Sequence, residues 1–186
     1  MKWTKLTVFL LPAVLFAACD KDDTEPAYIK TGIPVNSAQA VPALPTAGSG
    51  TLDIAYTPSA KAMTFTVSWS NLTDSVIAIR INGPSVAGYV SPNLAFTGAS
   101  PTSPATTPHN VLQEIVGTAT RALFPKTGSY SNTLFVDGVK IKESELVNNM
   151  YYLTIHTKTI IPPPATAPSS LAYRWFGEIR GQIIVR

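Results

Sequence analysis

Apolar and polar residues alternate along much of the chain after residue 50, and this alternation predicts β-strands. The clearest case is residues 62–70, where Met63, Phe65, Val67 and Trp69 are separated by threonine and serine. In a strand, successive side chains point to opposite faces. We therefore expect the four apolar side chains to face a core and the hydroxyl side chains to face solvent.

The same alternation, interrupted by turn-forming residues, predicts further strands. Residues 52–56 alternate just before the turn residues 57–61, which predicts a hairpin over residues 50–70. Other strands are predicted at residues 76–81, 89–96, 111–118, 130–136, 151–157 and 177–185, one short helix at 142–149, and proline-rich loops at 97–109 and 161–170. This series predicts an all-β domain, a single antiparallel β-sandwich or barrel of immunoglobulin-like or related type.

The composition narrows the class of protein. Charged residues make up only 13% of the 186 residues while 45% are hydrophobic, which argues against both a helical bundle and a disordered chain. The lone cysteine, Cys19, excludes an intrachain disulfide and a cysteine-based zinc site. The net charge of +3 is not gathered into a basic run, so we expect no nucleic-acid partner.

The first 18 residues have the pattern of a secretory signal peptide. Lys2 and Lys5 precede the apolar residues 6–16, a stretch too short to span a bilayer. The run from Leu15 through Ala17-Ala18 to Cys19 resembles the lipobox of bacterial lipoproteins, with a phenylalanine where leucine is common. The resemblance implies cleavage before Cys19 and a covalent lipid on its sulfur. The alternative is an ordinary signal peptide followed by an unrelated cysteine.

Residues 19–32 are predicted to be the lipidated cysteine and a flexible acidic tether. The sequence Asp20-Lys21-Asp22-Asp23 resembles the export signal of surface lipoproteins of the Bacteroidetes type. The resemblance implies an outer-membrane lipoprotein exposed on the cell surface, held to the membrane by several acyl chains. The alternatives are a tether that carries no address and a protein that faces the periplasm.

Residues 33–186 resemble the CHRD domain, a module first named from chordin. Four stretches carry the resemblance: residues 36–42, the hairpin 50–72 with its Asn71-Leu72-Thr73 turn, residues 150–157, and the closing run Gly177-Glu178-Ile179-Arg180-Gly181-Gln182. The resemblance implies an extracellular binding domain. It also nominates seven motif residues as a candidate site, namely His156, Thr157, Gly177, Glu178, Arg180, Gly181 and Gln182.

The chain departs from the family pattern where the family carries an Ala-His-Ile-His-Gly-Pro segment. Arg80 and Asn82 stand at the two histidine positions, and Ala40 replaces the glutamate of the opening motif. Arginine does not ligate metals, so we expect no metal and no cofactor apart from the lipid. His156 is then expected to be a hydrogen-bonded structural residue, with a metal ligand as the alternative.

Two groups of residues could form a recognition surface. Glu178 and Arg180 lie two apart in a predicted strand, which indicates either a charged recognition site or structural bonds to loops and neighbouring strands. The glycines beside them indicate a close backbone approach. Arg80 could face Glu178 in place of the lost histidines. Aromatic residues with an arginine, Tyr173-Arg174-Trp175-Phe176, form a second candidate surface, or alternatively cap one end of the sheet.

The sequence contains no Gly-x-Ser-x-Gly nucleophile motif, no phosphate-binding glycine loop and no obvious carboxylate pair. We therefore predict a surface-anchored, non-enzymatic binding or adhesion module whose partner is an extracellular protein or a matrix ligand. Two alternatives stay open: a metal-binding or enzymatic β protein, and a purely structural lipoprotein of the cell envelope.

Overall fold

The computed structural model describes residues 28–41, 43–90, 111–116, 124–159 and 177–186. These residues form strands β1 (Tyr28–Asn36), β2 (Ser49–Thr57), β3 (Ala62–Ser70), β4 (Val76–Asn82), β5 (Val111–Val116), β6 (Gly128–Phe135), β7 (Tyr152–Thr157) and β8 (Ile179–Gln182). A 3-10 turn (Ser37–Gln39) follows β1, and the helix α1 (Glu143–Val147) precedes β7. The predicted all-β class with one short α-helix is confirmed.

The strands form an antiparallel sheet in the order β5-β4-β7-β8-β1-β2-β3-β6, which curls into a half-barrel. Residues 124–126 join its two ends. Phe124 makes an isolated bridge to Val76 at the start of β4, and the Leu72 amide donates to the Lys126 carbonyl. The chain then enters β6 and pairs with β3 at the other edge.

The β2–β3 hairpin shows why the alternating pattern folds as it does. Met63, Phe65, Val67 and Trp69 are each at most 2% exposed, as predicted. On the opposite face the hydroxyl of Ser68 bonds that of Thr51 at 2.8 Å. Burying an apolar side chain of this size contributes roughly 1.5–3 kcal/mol, so this face holds the sheet to the core.

Three differences from the predicted boundaries change which residues belong to the sheet. β1 begins at Tyr28, so residues 28–32, which we predicted to be the end of the tether, belong to the sheet. Tyr89 lies in a turn rather than in a strand, and residues 91–96 of that predicted strand lie outside the described residues. β8 covers residues 179–182 rather than 177–185, because Gly177 has a φ of +78° and the chain leaves the ladder after Gln182.

β7 is buried on both faces because it lies inside the sheet, between β4 and β8. Leu153 and Ile155 face the apolar core. Tyr152, Thr154 and His156 face the other way and are at most 3% exposed. The sheet therefore has a second buried layer, which is polar and contains the candidate site.

Several predicted features fall outside the described residues: the signal peptide, Cys19 with the first part of the tether, both proline-rich loops, and Tyr173–Phe176. Within the described ranges, no helix is long and apolar enough to cross a membrane.

Candidate functional site

The second buried layer is built by cross-strand pairs from three neighbouring strands. Asn82 on β4 lies opposite Tyr152 on β7, and Tyr152 lies opposite Gln182 on β8. In the adjacent row, Arg80 lies opposite Thr154, which lies opposite Arg180. Residues that are directly opposite share a face of the sheet. We call these residues and His156 the polar layer.

A hydrogen-bonded chain runs through one side of the polar layer. The Asn82 Nδ2 donates to the Thr154 Oγ1 at 2.9 Å, and that oxygen lies 3.0 Å from the Nε2 of His156. His156 is only 3% exposed, which fits the structural interpretation of this residue. In the described residues, histidine, cysteine, aspartate and glutamate do not gather in groups of three or more that could bind a metal.

Arg180 lies on the other side of the polar layer and is 2% exposed. Its Nη2 donates to the Gln182 Oε1 at 3.1 Å, and its guanidinium carbon lies 3.8 Å from the centre of the Tyr152 ring. The Nη1 is buried and has no hydrogen-bond partner. Burial lowers the pKa of Arg180 below its usual value, although Coulombic interaction with Tyr152 opposes this change. Arginine nevertheless keeps its proton in proteins, so this is a buried cation with a free donor.

Gln182 fixes the position of Arg180 and also joins two loops. Its Nε2 donates to the carbonyls of Ser85 at 3.0 Å and Asn149 at 2.6 Å, while its Oε1 accepts from Arg180. Both ends of the amide are therefore bonded. The orientation of the guanidinium depends on this network rather than on solvent.

A cavity of about 420 Å³ lies against Arg180. The described residues that line it are Ala38, Gln39, Ala40, Val41, Ala43, Ala87, Gly88, Arg180 and Gln182. We call it the arginine cavity. Most of its walls come from the segment after β1 and from the turn after β4, and its charged group comes from β8. The volume is within the usual range for small-molecule sites, which are mostly apolar with a few polar groups.

Glu178 has its own hydrogen-bond partners and does not form one charged site with Arg180. The carboxylate accepts hydrogen bonds from the Thr73 amide at 2.9 and 3.1 Å, from the Thr73 hydroxyl at 2.9 Å, and from the Thr157 hydroxyl at 2.8 Å. These contacts are the bonds to a loop and a neighbouring strand that the sequence offered as one interpretation. All the described partners of this carboxylate are threonines, and the contact with Arg80 that the sequence allowed is not among them.

The two glycines of the closing motif permit close backbone approach, as predicted. Gly177 has a positive φ of +78°, and a Cβ there would lie 3.0 Å from the Ile155 carbonyl oxygen. At Gly181 a Cβ would lie 2.6 Å from the Val35 Cγ2. Both positions therefore require glycine for β8 to fit between β1 and β7.

Part of the site was missed from the sequence. The motifs nominated Arg180 and Gln182 but gave no indication that Tyr152 would stack on the guanidinium. The cavity walls at residues 38–41 overlap the opening motif, and that motif was the only sequence signal that could have located them. Cys19 and Tyr173–Phe176 lie outside the described residues, so their proposed roles stay predictions.

Comparison with known proteins gives one family. The model of the CHRD domain matches residues 32–160. The chain belongs to the CHRD domain family. The matched range ends before Gly177, so the likeness of the closing motif rests on the sequence pattern alone. No curated protein and no solved structure matches this CHRD protein. Membership in the family indicates a small β domain of the binding type.

Proposed function

We propose that this protein is a lipid-anchored, non-enzymatic binding module displayed on the outer surface of the outer membrane. The observation that carries the binding role is the arginine cavity, in which a buried cation with a free donor lines a pocket of about 420 Å³. An unsatisfied buried donor is unfavourable in an empty domain and favourable once a ligand supplies an acceptor.

The chemistry of the described lining supports binding over catalysis. The nine lining residues supply alanine, valine and glycine surfaces, two amides and one guanidinium. Such groups hold and orient a ligand by shape and charge. General acid–base and nucleophilic catalysis use groups such as histidine, carboxylates, hydroxyls or thiols, and these residue types do not occur among the described lining residues. The proposed partner is an extracellular protein or a matrix ligand, and no cofactor is proposed apart from the lipid.

The proposed anchor is a lipid on Cys19, with palmitate among its acyl chains. Its support is the position of the lone cysteine directly after an apolar segment and two alanines. β1 begins at Tyr28, and a fully extended chain spans at most about 3.6 Å per residue. A lipidated Cys19 would therefore hold the domain within roughly 30 Å of the membrane surface. Binding would take place close to the cell surface.

The anchor is tested with the full chain expressed in a bacterium that has an outer membrane. We expect the wild type to incorporate labelled palmitate and to remain in the membrane fraction, and Cys19→Ala to do neither. Cys19→Ala retained in the membrane fraction would overturn the anchor.

Surface display is tested separately, by protease treatment of intact cells. We expect the wild type to be cleaved. A control variant with Lys21→Ala, Asp22→Ala and Asp23→Ala should be lipidated but protected from protease, because it lacks the proposed export signal. Wild-type protein that is protected to the same degree faces the periplasm, which would overturn surface display.

Metal analysis and partner capture test the alternative functions. Stoichiometric copper, zinc or iron in the purified full chain, lost in His156→Ala, would replace the binding module by a metal protein. Capture from the extracellular milieu with wild type and with a variant lacking residues 173–176 tests the second predicted surface. We expect the wild type to capture a specific partner. No specific partner with either form would favour a structural envelope role.

A further inference from the structure

We propose that the arginine cavity binds the carboxylate of a small aliphatic acid, with the guanidinium of Arg180 as the charged partner. This inference rests on the proposed function only in taking the domain to be a binding module. It does not depend on the lipid anchor or on the side of the membrane that the domain faces.

The first argument is the unbalanced charge of Arg180. Buried charges in proteins are normally paired, because an isolated charge in the interior is very costly. Each carboxylate side chain that the structure describes has other hydrogen-bond partners. Asp53 accepts from Gly32, Asp74 from Ser75 and Thr159, and Asp137 from residues 139–141. Glu143 accepts from Tyr56 and Lys61, Glu145 from Tyr151 and Lys142, and Glu178 from Thr73 and Thr157. Among the carboxylate side chains that the structure describes, therefore, none neutralises Arg180. A ligand carboxylate would supply the missing charge.

The second argument is the way in which the guanidinium is held. One side-chain bond to Gln182 fixes its Nη2, and the ring of Tyr152 covers one face. The Nη1 of the guanidinium is buried and has no hydrogen-bond partner. Because the arginine is already immobilised, little side-chain entropy is lost when a carboxylate binds. The guanidinium of Arg180 is therefore held in place at the wall of the arginine cavity, where a ligand carboxylate would balance its charge at low ordering cost.

The third argument is the character of the remaining walls, which selects the kind of anion. Six of the nine described lining residues are alanine, valine or glycine, and Arg180 is the charged one among them. One cation balances a monoanion, whereas a phosphate carries close to two charges. The small apolar side chains offer contact to a short hydrocarbon rather than to a sugar or a second charge. A short-chain monocarboxylate fits both properties.

Binding is measured by titration calorimetry on the purified full chain, with butyrate as the probe and butyramide as its neutral isostere. We expect one butyrate per chain and at least about tenfold weaker binding of butyramide, because the amide has no charge to balance Arg180. Equal binding of butyramide and butyrate would overturn the proposal, because the cavity would then recognise only the hydrocarbon.

A second titration distinguishes a free acid from the carboxyl terminus of a peptide. Acetyl-alanyl-alanine is compared with the same peptide amidated at its C-terminus. We expect butyrate to bind more tightly than either peptide, since the proposal commits to a small free acid. Tighter binding of the acid-ended peptide than of butyrate would overturn that choice of source.

Three variants locate the site. Arg180→Gln removes the charge, and Ala87→Trp fills the cavity from an exposed wall position while leaving the arginine in place. We expect both to weaken butyrate binding at least tenfold. Arg186→Gln is the matched control, because Arg186 also stacks on a tyrosine, Tyr28, but is exposed and does not line the cavity. It should bind butyrate as the wild type does.

The outcomes separate this inference from the proposed function. Wild-type protein that binds none of the carboxylates overturns the inference while leaving the anchor and partner-capture results standing. Butyrate binding unchanged in Ala87→Trp also overturns it, even where Arg180→Gln does not fold. Equal weakening in Arg186→Gln and Arg180→Gln would indicate unspecific attraction of anions, and would overturn it as well.

Discussion

Replacing Glu178 with glutamine should destabilise the domain, although the two side chains have nearly the same size. Both carboxylate oxygens of Glu178 accept hydrogen bonds, from the backbone and hydroxyl of Thr73 and from the hydroxyl of Thr157. In glutamine one of these oxygens becomes an NH₂ group, which donates. The hydroxyls can rotate to accept from it, but the Thr73 amide cannot. With the carbonyl oxygen of glutamine on the Oε1 side, the Thr73 amide keeps its 2.9 Å bond and loses the 3.1 Å contact, and every bond that remains involves a neutral group.

The magnitude follows from burial and charge. Glu178 is 2% exposed, so water cannot replace a lost bond. A hydrogen bond to a charged group contributes about 1.5–3 kcal/mol and a neutral one about 0.5–1.5 kcal/mol, so each of the remaining bonds is weakened by about 1 kcal/mol. We expect Glu178→Gln to lower the free energy of unfolding by roughly 2–4 kcal/mol. Domains of this size lose about 2–4 °C of melting temperature per kcal/mol.

Urea unfolding followed by tryptophan fluorescence measures the effect, because Trp69 is buried in the core at 2% exposure. A double-mutant cycle with Thr157→Val isolates the bond between Thr157 and the carboxylate. We expect a coupling energy of at least about 1 kcal/mol between the two positions. Asp53→Asn is the control, since Asp53 also accepts from a backbone amide, that of Gly32, but at an exposed position.

Two results would refute the reasoning. A change below about 0.5 kcal/mol in Glu178→Gln would fall within the range of ordinary surface substitutions. A coupling energy near zero would show that the bond to Thr157 contributes nothing in solution. Either result would return Glu178 to consideration as a recognition residue, as the sequence first allowed.

Three further predictions test other parts of the fold. Tyr151→Phe should lower the free energy of unfolding by roughly 1.5–3 kcal/mol at pH 7 in the same urea assay, because the hydroxyl donates to the Glu145 carboxylate. Burial and that bond raise the pKa of Tyr151 above its usual 10.0, so its contribution is complete below pH 10.0 and is lost as the pH rises through the folded-state value. Backbone amides lower the pKa of Asp137 below 3.8, so its contribution is complete above that pH and is lost on further acidification. An acid titration of stability should therefore be shallower in Asp137→Asn than in the wild type, and equal slopes would contradict the assignment. Gly50→Ala should prevent folding, as judged by circular dichroism, because the new Cβ would lie 1.9 Å from the Ser68 carbonyl oxygen.

The alternating pattern predicted the strands whose two faces differ in environment. Residues 62–70 have one apolar and one hydroxyl face, and the sheet buries the first and leaves the second exposed or half-buried. β1 carries no such signal, because in nine residues only Ile33 and Val35 are buried. Gly32, with a φ of +68°, accompanies a register shift between Lys30 and Ile33 and interrupts the alternation. For this reason the sequence predicts tether where the structure has the first residues of β1.

The closing motif identified the right residues but gave the wrong geometry. The sequence placed Glu178 and Arg180 on one face because they are two apart. In the structure the Glu178 amide donates a hydrogen bond to the Ile155 carbonyl. Ile155 also lies opposite Ile179, so the two consecutive residues Glu178 and Ile179 both pair with the single residue Ile155 of β7. Such an irregularity breaks the strict alternation of a strand. It turns Glu178 toward Thr73 and leaves Arg180 in the polar layer, an outcome that depends on the positive φ of Gly177.

The two buried charges of this motif differ in a way that packing alone does not explain. Glu178 is bonded by donors from a loop and a strand, and replacing it breaks bonds that are already present. Arg180 lines a cavity, and its buried Nη1 has no hydrogen-bond partner. A fold optimised only for stability would not need a charge there, because replacing buried ionic groups with well-packed apolar residues is often neutral or stabilising. The arginine is therefore better understood as half of an interaction whose other half arrives with a ligand, whereas Glu178 is complete within the chain.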